Sequence, residues 1–154
     1  MSNAHPPPGT PIDYIKTAAA AIVVGDDGRI LLEKRSDNGY WGLPAGALDK
    51  GETIAQTCVR EVLEETGLAV HIERLLGVYS DPAIGQLIRY PDGVVAQVVA
   101  AVFICRPTGG TLAMSDESTD LQWFDPRSLP EPMTPSHRVR IDDYLSGTTT
   151  PFVR

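Results

Sequence analysis

Between Gly46 and Leu68 the chain reads GALDKGETIAQTCVREVLEETGL, a run whose end signals and periodicity leave little choice of local structure. Thr53 stands three residues before Gln56 and ahead of an apolar series at Ala55, Cys58, Val59 and Val62. A hydroxyl that accepts from a free amide, answered by an amide side chain that reaches back, forms a capping box and opens an amphipathic helix. Gly67 follows the last charged turn, where a left-handed cap favours a residue with no Cβ. The spacing predicts a helix from Thr53 to Thr66.

Glu61, Glu64 and Glu65 fall within an arc of roughly 100° on such a helix, while the apolar series faces elsewhere. Positions i, i+3 and i+4 lie about 5–6 Å apart at Cβ, so the three carboxylates can converge on a hard cation. A solvated acidic face would look similar, because like-charge pairs cost only about 0.2–0.5 kcal/mol. The context favours a metal site: Trp41-Gly42-Leu43-Pro44-Ala45-Gly46 forms a tight approach, and Gly51-Glu52 immediately precedes the helix. Mg²⁺ is the natural cation, since it takes oxygen ligands and commonly joins carboxylates to substrate phosphates.

The same residues fill every specified position of the Nudix box, G-x5-E-x7-R-E-U-x-E-E-x-G-U with U aliphatic: Gly46, Glu52, Arg60, Glu61, Val62, Glu64, Glu65, Gly67 and Leu68. The chain thus resembles the Nudix hydrolases, and the resemblance runs from about Thr17 to Leu145. It implies an α/β fold, an α/β/α sandwich around a mixed β-sheet. It also implies metal ligation by Glu61, Glu64 and Glu65 with the Ala45 carbonyl, and Mg²⁺ as cofactor, with Mn²⁺ able to replace it. Gly46, Glu52 and Gly67 become structural members of the box. Arg60 becomes a support that orients a neighbouring glutamate, the alternative being a surface ion pair.

MutT-like relatives carry a distal acidic residue, as a fourth ligand or as the base, and Glu117 before Trp123 matches it, with Asp116 and Asp120 as alternatives. The implied general base is Glu61, then Glu117, then Glu64. Arg35, at the end of Leu31-Leu32-Glu33-Lys34-Arg35, matches an arginine that reaches substrate phosphate, with Lys34 as fallback. Solvated surface positions would explain Arg35 and the acidic loop equally well. His137, Arg138 and Arg140 read first as a solvated helix face, and Trp41, Tyr90 and Trp123 as core or loop anchors.

The implied reaction is metal-dependent hydrolysis of the diphosphate linkage in a nucleoside diphosphate derivative. Which one is less legible, because base and leaving group are read outside the box. The S-Q-P-W-P-F-P-x-S pattern of NADH pyrophosphatases and the upstream signature of coenzyme A pyrophosphatases are absent. Pro82 offers faint support for ADP-ribose, although a proline after Asp81 is first a turn signal. No asparagine follows Trp123, which removes one known route to guanine selectivity. A silent nucleotide sensor and an RNA 5′-end pyrophosphohydrolase are the alternatives; the complete box speaks against the first, the acidic composition against the second.

The formal charge of −7 over 154 residues disfavours nucleic acid as a partner and leaves a small-molecule nucleotide. Apolar runs such as Ala18 to Val24 are too short to cross a bilayer. Cys58 and Cys105 lack metal-ligand spacing and read as reduced core thiols, which agrees with a cytoplasmic protein. The resemblance also carries the expectation of a homodimer.

Residues 1–16 read as an expression scar (Met1-Ser2-Asn3-Ala4) followed by a loose proline-rich arm, 17–147 as the folded domain and 148–154 as a tail. Strands are expected at Thr17–Val24 and Arg29–Lys34, joined as a hairpin by Asp26-Asp27-Gly28, and at Val70–Val78, Val94–Cys105 and Leu121–Phe124. Pro91-Asp92-Gly93 and Thr108-Gly109-Gly110 read as turns. Thr134-Pro135 opens a last helix reaching about Leu145, with Gly147 beyond it.

Overall fold

A computed structural model of the chain describes residues 4–154, so the first three residues of the expected scar lie outside it. In chain order come β1 (Tyr14–Val23), β2 (Ile30–Arg35), β3 (Trp41–Gly42), β4 (Ala45–Ala47) and α1 (Ile54–Thr66). After them come β5 (Leu68–Tyr79), a 3-10 turn (Pro82–Ile84), β6 (Leu87–Arg89), β7 (Val95–Gly110), β8 (Ser118–Phe124), α2 (Pro135–Leu145) and β9 (Phe152–Val153).

The larger sheet has the order β4-β1-β7-β5-β9, with β6 also paired to β7. It is mixed, because β1 runs parallel to β7 while β5 runs antiparallel to it. The smaller sheet is β3-β2-β8.

From Ala18 onward β1 is apolar on both faces because both are covered. Ala20, Ile22 and Val24 pack with Leu76, Tyr79, Val102, Ile104 and, from α2, Ile141. Ala19, Ala21 and Val23 pack with Phe103, Cys105 and, from α1, Cys58 and Val62. The period of two along a strand thus sends alternate residues to opposite helices, and the α/β/α sandwich follows. Completely burying a side chain such as Val62 contributes about 1.5–3 kcal/mol, which seats α1 against the sheet.

The first hairpin differs from expectation. The turn itself forms, with Gly25 N–H donating to the Arg29 carbonyl at 2.9 Å and Gly28 N–H to the Gly25 carbonyl at 3.0 Å. Beyond one bridge between Val24 and Ile30 the strands part into different sheets. Both hydrogen-bonding edges of β1 are occupied by β4 and β7, which leaves none for β2.

Gly109 and Gly110, expected in a turn, instead pair with Ala69 and Leu68. A Cβ on Gly110 would overlap the Gly67 carbonyl, so close backbone approach explains that glycine. At the chain ends, β1 starts within the expected arm, Ala4 bridges to Arg89, and Phe152–Val153 pair with Gly77–Val78 of β5. The tail is fastened further by Arg154, which donates to Asp143 through Nε at 2.8 Å and Nη2 at 2.9 Å.

Candidate active site

Both ends of α1 are fixed by the signals in its sequence. Gln56 N–H donates to Thr53 Oγ1 at 3.1 Å, and Thr53 N–H to Gln56 Oε1 at 2.8 Å, closing the capping box. Gly67 takes φ +77° and its N–H donates to the Leu63 carbonyl at 2.9 Å. With Cys58 and Val62 turned into the core, Glu61, Glu64 and Glu65 face the loop ahead of the helix.

That loop receives them closely. Ala45 N–H donates to Glu65 Oε2 at 3.0 Å, and Glu65 is 4% exposed. A Cβ on Gly46 would overlap the Glu61 carboxyl group, so glycine there is what admits the side chain. Arg60 ties the acids together. Its Nε donates to Glu52 Oε1 at 2.6 Å, and its Nη1 to Glu61 Oε1 at 2.8 Å and Glu64 Oε2 at 3.2 Å. Its Nη2 reaches Glu52 Oε2 at 3.0 Å and the Ala47 carbonyl at 3.1 Å. These bonds raise the Arg60 pKa, and those from Arg60 and then Thr57 hold the Glu52 carboxyl down at about 2. Arg60 is therefore a clamp between helix and loop, and Glu52 anchors it from outside the groove.

Glu61, Glu64, Glu65 and Glu117 line one groove with Ala45 and Arg35. Glu117 arrives on a loop fastened at its carbonyl, which accepts from Ser36 N–H at 2.8 Å and Ser36 Oγ at 2.9 Å. Asp116 also lines the groove. Asp120 accepts from Leu121 N–H and Gln122 Nε2 instead and lies outside it. Arg35 lines the groove while bonded to Asp37 through Nε and Nη2, both at 2.9 Å.

Glu33 was not anticipated. It is 4% exposed, and its Oε2 accepts from Ser118 Oγ at 2.9 Å. Burial raises its pKa to about 7. Burial and the neighbouring charges of Glu33 and Glu61 raise Glu65 to about 10, and burial also raises Glu61 against the pull of Arg60. Only the alternation of Leu31 and Glu33 on one face of β2 hinted at this position.

The solvated-face reading of α2 fails for two of its three residues. Arg140 is 3% exposed and donates from Nη2 to Gln86 Oε1 at 3.0 Å. His137 is partly buried, and its Nδ1 accepts from Leu43 N–H at 2.9 Å. Arg138 does pair at the surface, with Glu131 at 2.5 Å. The segment's charge pattern was misleading because α2 packs across the sheet and over the end of a cavity. Trp41 is buried edge-on to Phe124, a core anchor as expected.

The donor set suits a divalent cation: hard oxygen ligands, with Glu65 and Glu33 buried and short of compensating positive charge. Among the described residues no three acidic or imidazole groups yet share one ligating point, since Arg60 holds Glu61 and Glu64 and the Ala45 amide holds Glu65.

The NUDIX domain family matches residues 15–144. A MutT-like protein of Streptomyces ambofaciens is 39% identical over 137 residues, covering 89% of this chain and 80% of the relative. An ADP-ribose pyrophosphatase of Methanocaldococcus jannaschii is 38% identical over 136 residues, covering 86% of this chain and 75% of the relative. Among solved structures, a UDP-X diphosphatase superposes with a TM-score of 0.73 at 22% identity, covering 96% of this chain and 70% of the other, a likeness of fold. With the box, the sandwich and the shared groove in agreement, the chain belongs to the Nudix hydrolase family and is a pyrophosphohydrolase.

Proposed function

We propose that the chain hydrolyses the diphosphate linkage of a small nucleoside diphosphate derivative, a nucleoside triphosphate or ADP-ribose, with Mg²⁺ as cofactor. One observation carries this reading: Glu61, Glu64, Glu65 and Glu117 share a groove with Arg35 and Lys16, acids to hold a cation beside bases to meet phosphate. Glu61, Glu64, Glu65 and Glu117, with the Ala45 carbonyl, would hold the ion. When bound it offsets charge on the phosphoryl oxygens and lowers the pKa of a water.

The remaining work belongs to the chain. Arg60 orients Glu61 and Glu64 through its Nη1, so it is a positioning residue. Glu61 is the first candidate to take the proton from the attacking water, followed by Glu117 and Glu64. Arg35 and Lys16, which line the same groove, would receive phosphate, and the Arg35 guanidinium is held in place by Asp37. The similarity to an ADP-ribose pyrophosphatase makes ADP-ribose a first compound to assay.

The test is a product-resolved assay with Mg²⁺ or Mn²⁺ over ADP-ribose, nucleoside triphosphates, sugar nucleotides, dinucleoside polyphosphates and capped RNA. The expected result is cleavage between phosphates for at least one small nucleotide, abolished by chelation. Cleavage of capped RNA alone, or of nothing, would overturn the reading.

A further inference from the structure

Glu33 is 4% exposed and, among the described residues, is not one of those lining the groove that holds Glu61, Glu64, Glu65 and Glu117. Burying an acid is costly unless its oxygens are paired, so this position in the fold calls for partners. Both of its partners belong to segments that carry proposed ligands.

The alternation of β2 brings Glu33 to the first of them. Leu31 and Glu33 share a face of the strand, and Leu31 packs in the cluster that contains Cys58 and Val62 of α1. Glu65 stands three residues beyond Val62, about one turn along the same helix. Two residues past the apolar contact on the strand, the Glu33 side chain meets that of Glu65 in a hydrogen bond.

The second partner lies on β8. Glu33 Oε2 accepts from Ser118 Oγ at 2.9 Å, and Ser118 is itself buried. Ser118 opens β8 and directly follows Glu117. On the other flank the Glu117 carbonyl accepts from Ser36 N–H at 2.8 Å and Ser36 Oγ at 2.9 Å. The end of β2 therefore grips the Glu117 segment from both sides while Glu33 also touches Glu65.

Glu65 is otherwise held by one amide, that of Ala45, which donates to Oε2 at 3.0 Å. A carboxyl group fixed by a single bond can still pivot. A second contact from behind removes that freedom, which is how groups outside a coordination sphere set the ligands within it.

We infer that Glu33 is a positioning residue of the cation site, which sets the Glu65 carboxyl for ligation and ties it through Ser118 to the segment carrying Glu117. It acts on the ion through Glu65 and not by direct contact. The inference rests on the proposed function for the identity of the ligands, and it adds a residue that works through one of them.

The test is a titration of the intact, chelator-treated protein with Mn²⁺, without nucleotide, the free ion being read by electron paramagnetic resonance. Glu33→Gln can accept from Ser118 through Oε1 and donate to Glu65 through Nε2, so it is expected to bind Mn²⁺ like the parent. Glu33→Met fills similar space and makes neither bond. Its Mn²⁺ affinity is expected to fall by about 10–100-fold, the usual loss when a group supporting a ligand is removed. Ser118→Ala breaks one bond and is expected to weaken binding by a smaller factor, with little added loss when combined with Glu33→Met, because both act through one link. Unchanged affinity in Glu33→Met overturns the inference, whatever its melting temperature. A Glu33→Gln variant as weak as Glu33→Met also overturns it, since charge and not bonding would then be what the site needs. Should Glu33→Met not fold, Ser118→Ala decides, and unchanged affinity there overturns the inference. An unaltered protein that takes up no Mn²⁺ overturns it together with the reading beneath it.

Discussion

Glu61 keeps its position only while residue 46 has no side chain. Gly46→Ala puts a methyl group where the Glu61 carboxyl lies, and the cheapest relief is to turn Glu61 away from the groove. Turnover is expected to fall by about 10²-fold, the scale of a 1 Å misplacement in an active site, with the melting temperature little changed. Normal turnover would show that Glu61 is not needed where it stands. Glu64→Gln and Glu65→Gln are each expected to lower kcat severely, yet they should differ in stability. The Glu64 side chain is 57% exposed, so its variant should melt like the parent. Glu65→Gln keeps the shape and removes a carboxyl whose ionisation favours the unfolded chain, so its metal-free form should melt higher. Full turnover in both variants would refute the site. The shared face of the box glutamates was legible because it needs only a helix and a fixed spacing. Glu33 was not, since its partners Ser118 and Glu65 come from β8 and α1, distant in sequence.

Elements were legible where their stop signals are local and obscure where pairing is remote. The α1 caps formed as read, from Thr53 to Gly67, because a cap depends on neighbours within a few residues. The fate of β1 did not, because Asp26-Asp27-Gly28 specifies a turn but not which strand takes the neighbouring edge. Gly67 carries two demands at once: φ +77°, and a Cβ that would overlap the Thr111 carbonyl. Gly67→Ala is therefore expected to exceed the about 1–2 kcal/mol that left-handed backbone alone costs an L residue. Urea denaturation reads this as a lower midpoint at unchanged slope. A loss below about 1 kcal/mol would mean that the segment from Thr111 to Ala113 moves aside freely.

For the whole molecule, sheet order, the docking of the last residues on β5 and the cavity beneath α2 all depend on contacts between distant segments, which no local pattern announces. The same long-range convergence loads one region with charge and so couples the site to global stability. Without a cation the folded carboxyls of Glu33 and Glu65 titrate at about 7 and about 10, against an ordinary 4.5. A raised carboxyl pKa means that the folded chain holds protons the unfolded chain releases. The resulting stability is complete below about pH 4.5 and is lost as pH rises through about 7 and then 10. Glu52, held down at about 2, acts in the opposite sense and only at lower pH, where its support fades as pH falls from about 4.5. In chelator the melting temperature is therefore expected to fall steadily from about pH 5 to about pH 9. As the proposed cofactor, added Mg²⁺ would supply the missing positive charge to the folded form alone, so it should raise the melting temperature most at the alkaline end. Glu65→Gln should flatten the chelator curve and reduce the Mg²⁺ response together. A melting curve indifferent to both pH and Mg²⁺ across that range would mean that these buried acids ionise freely, and the physical case for a cation between α1 and β4 would be gone.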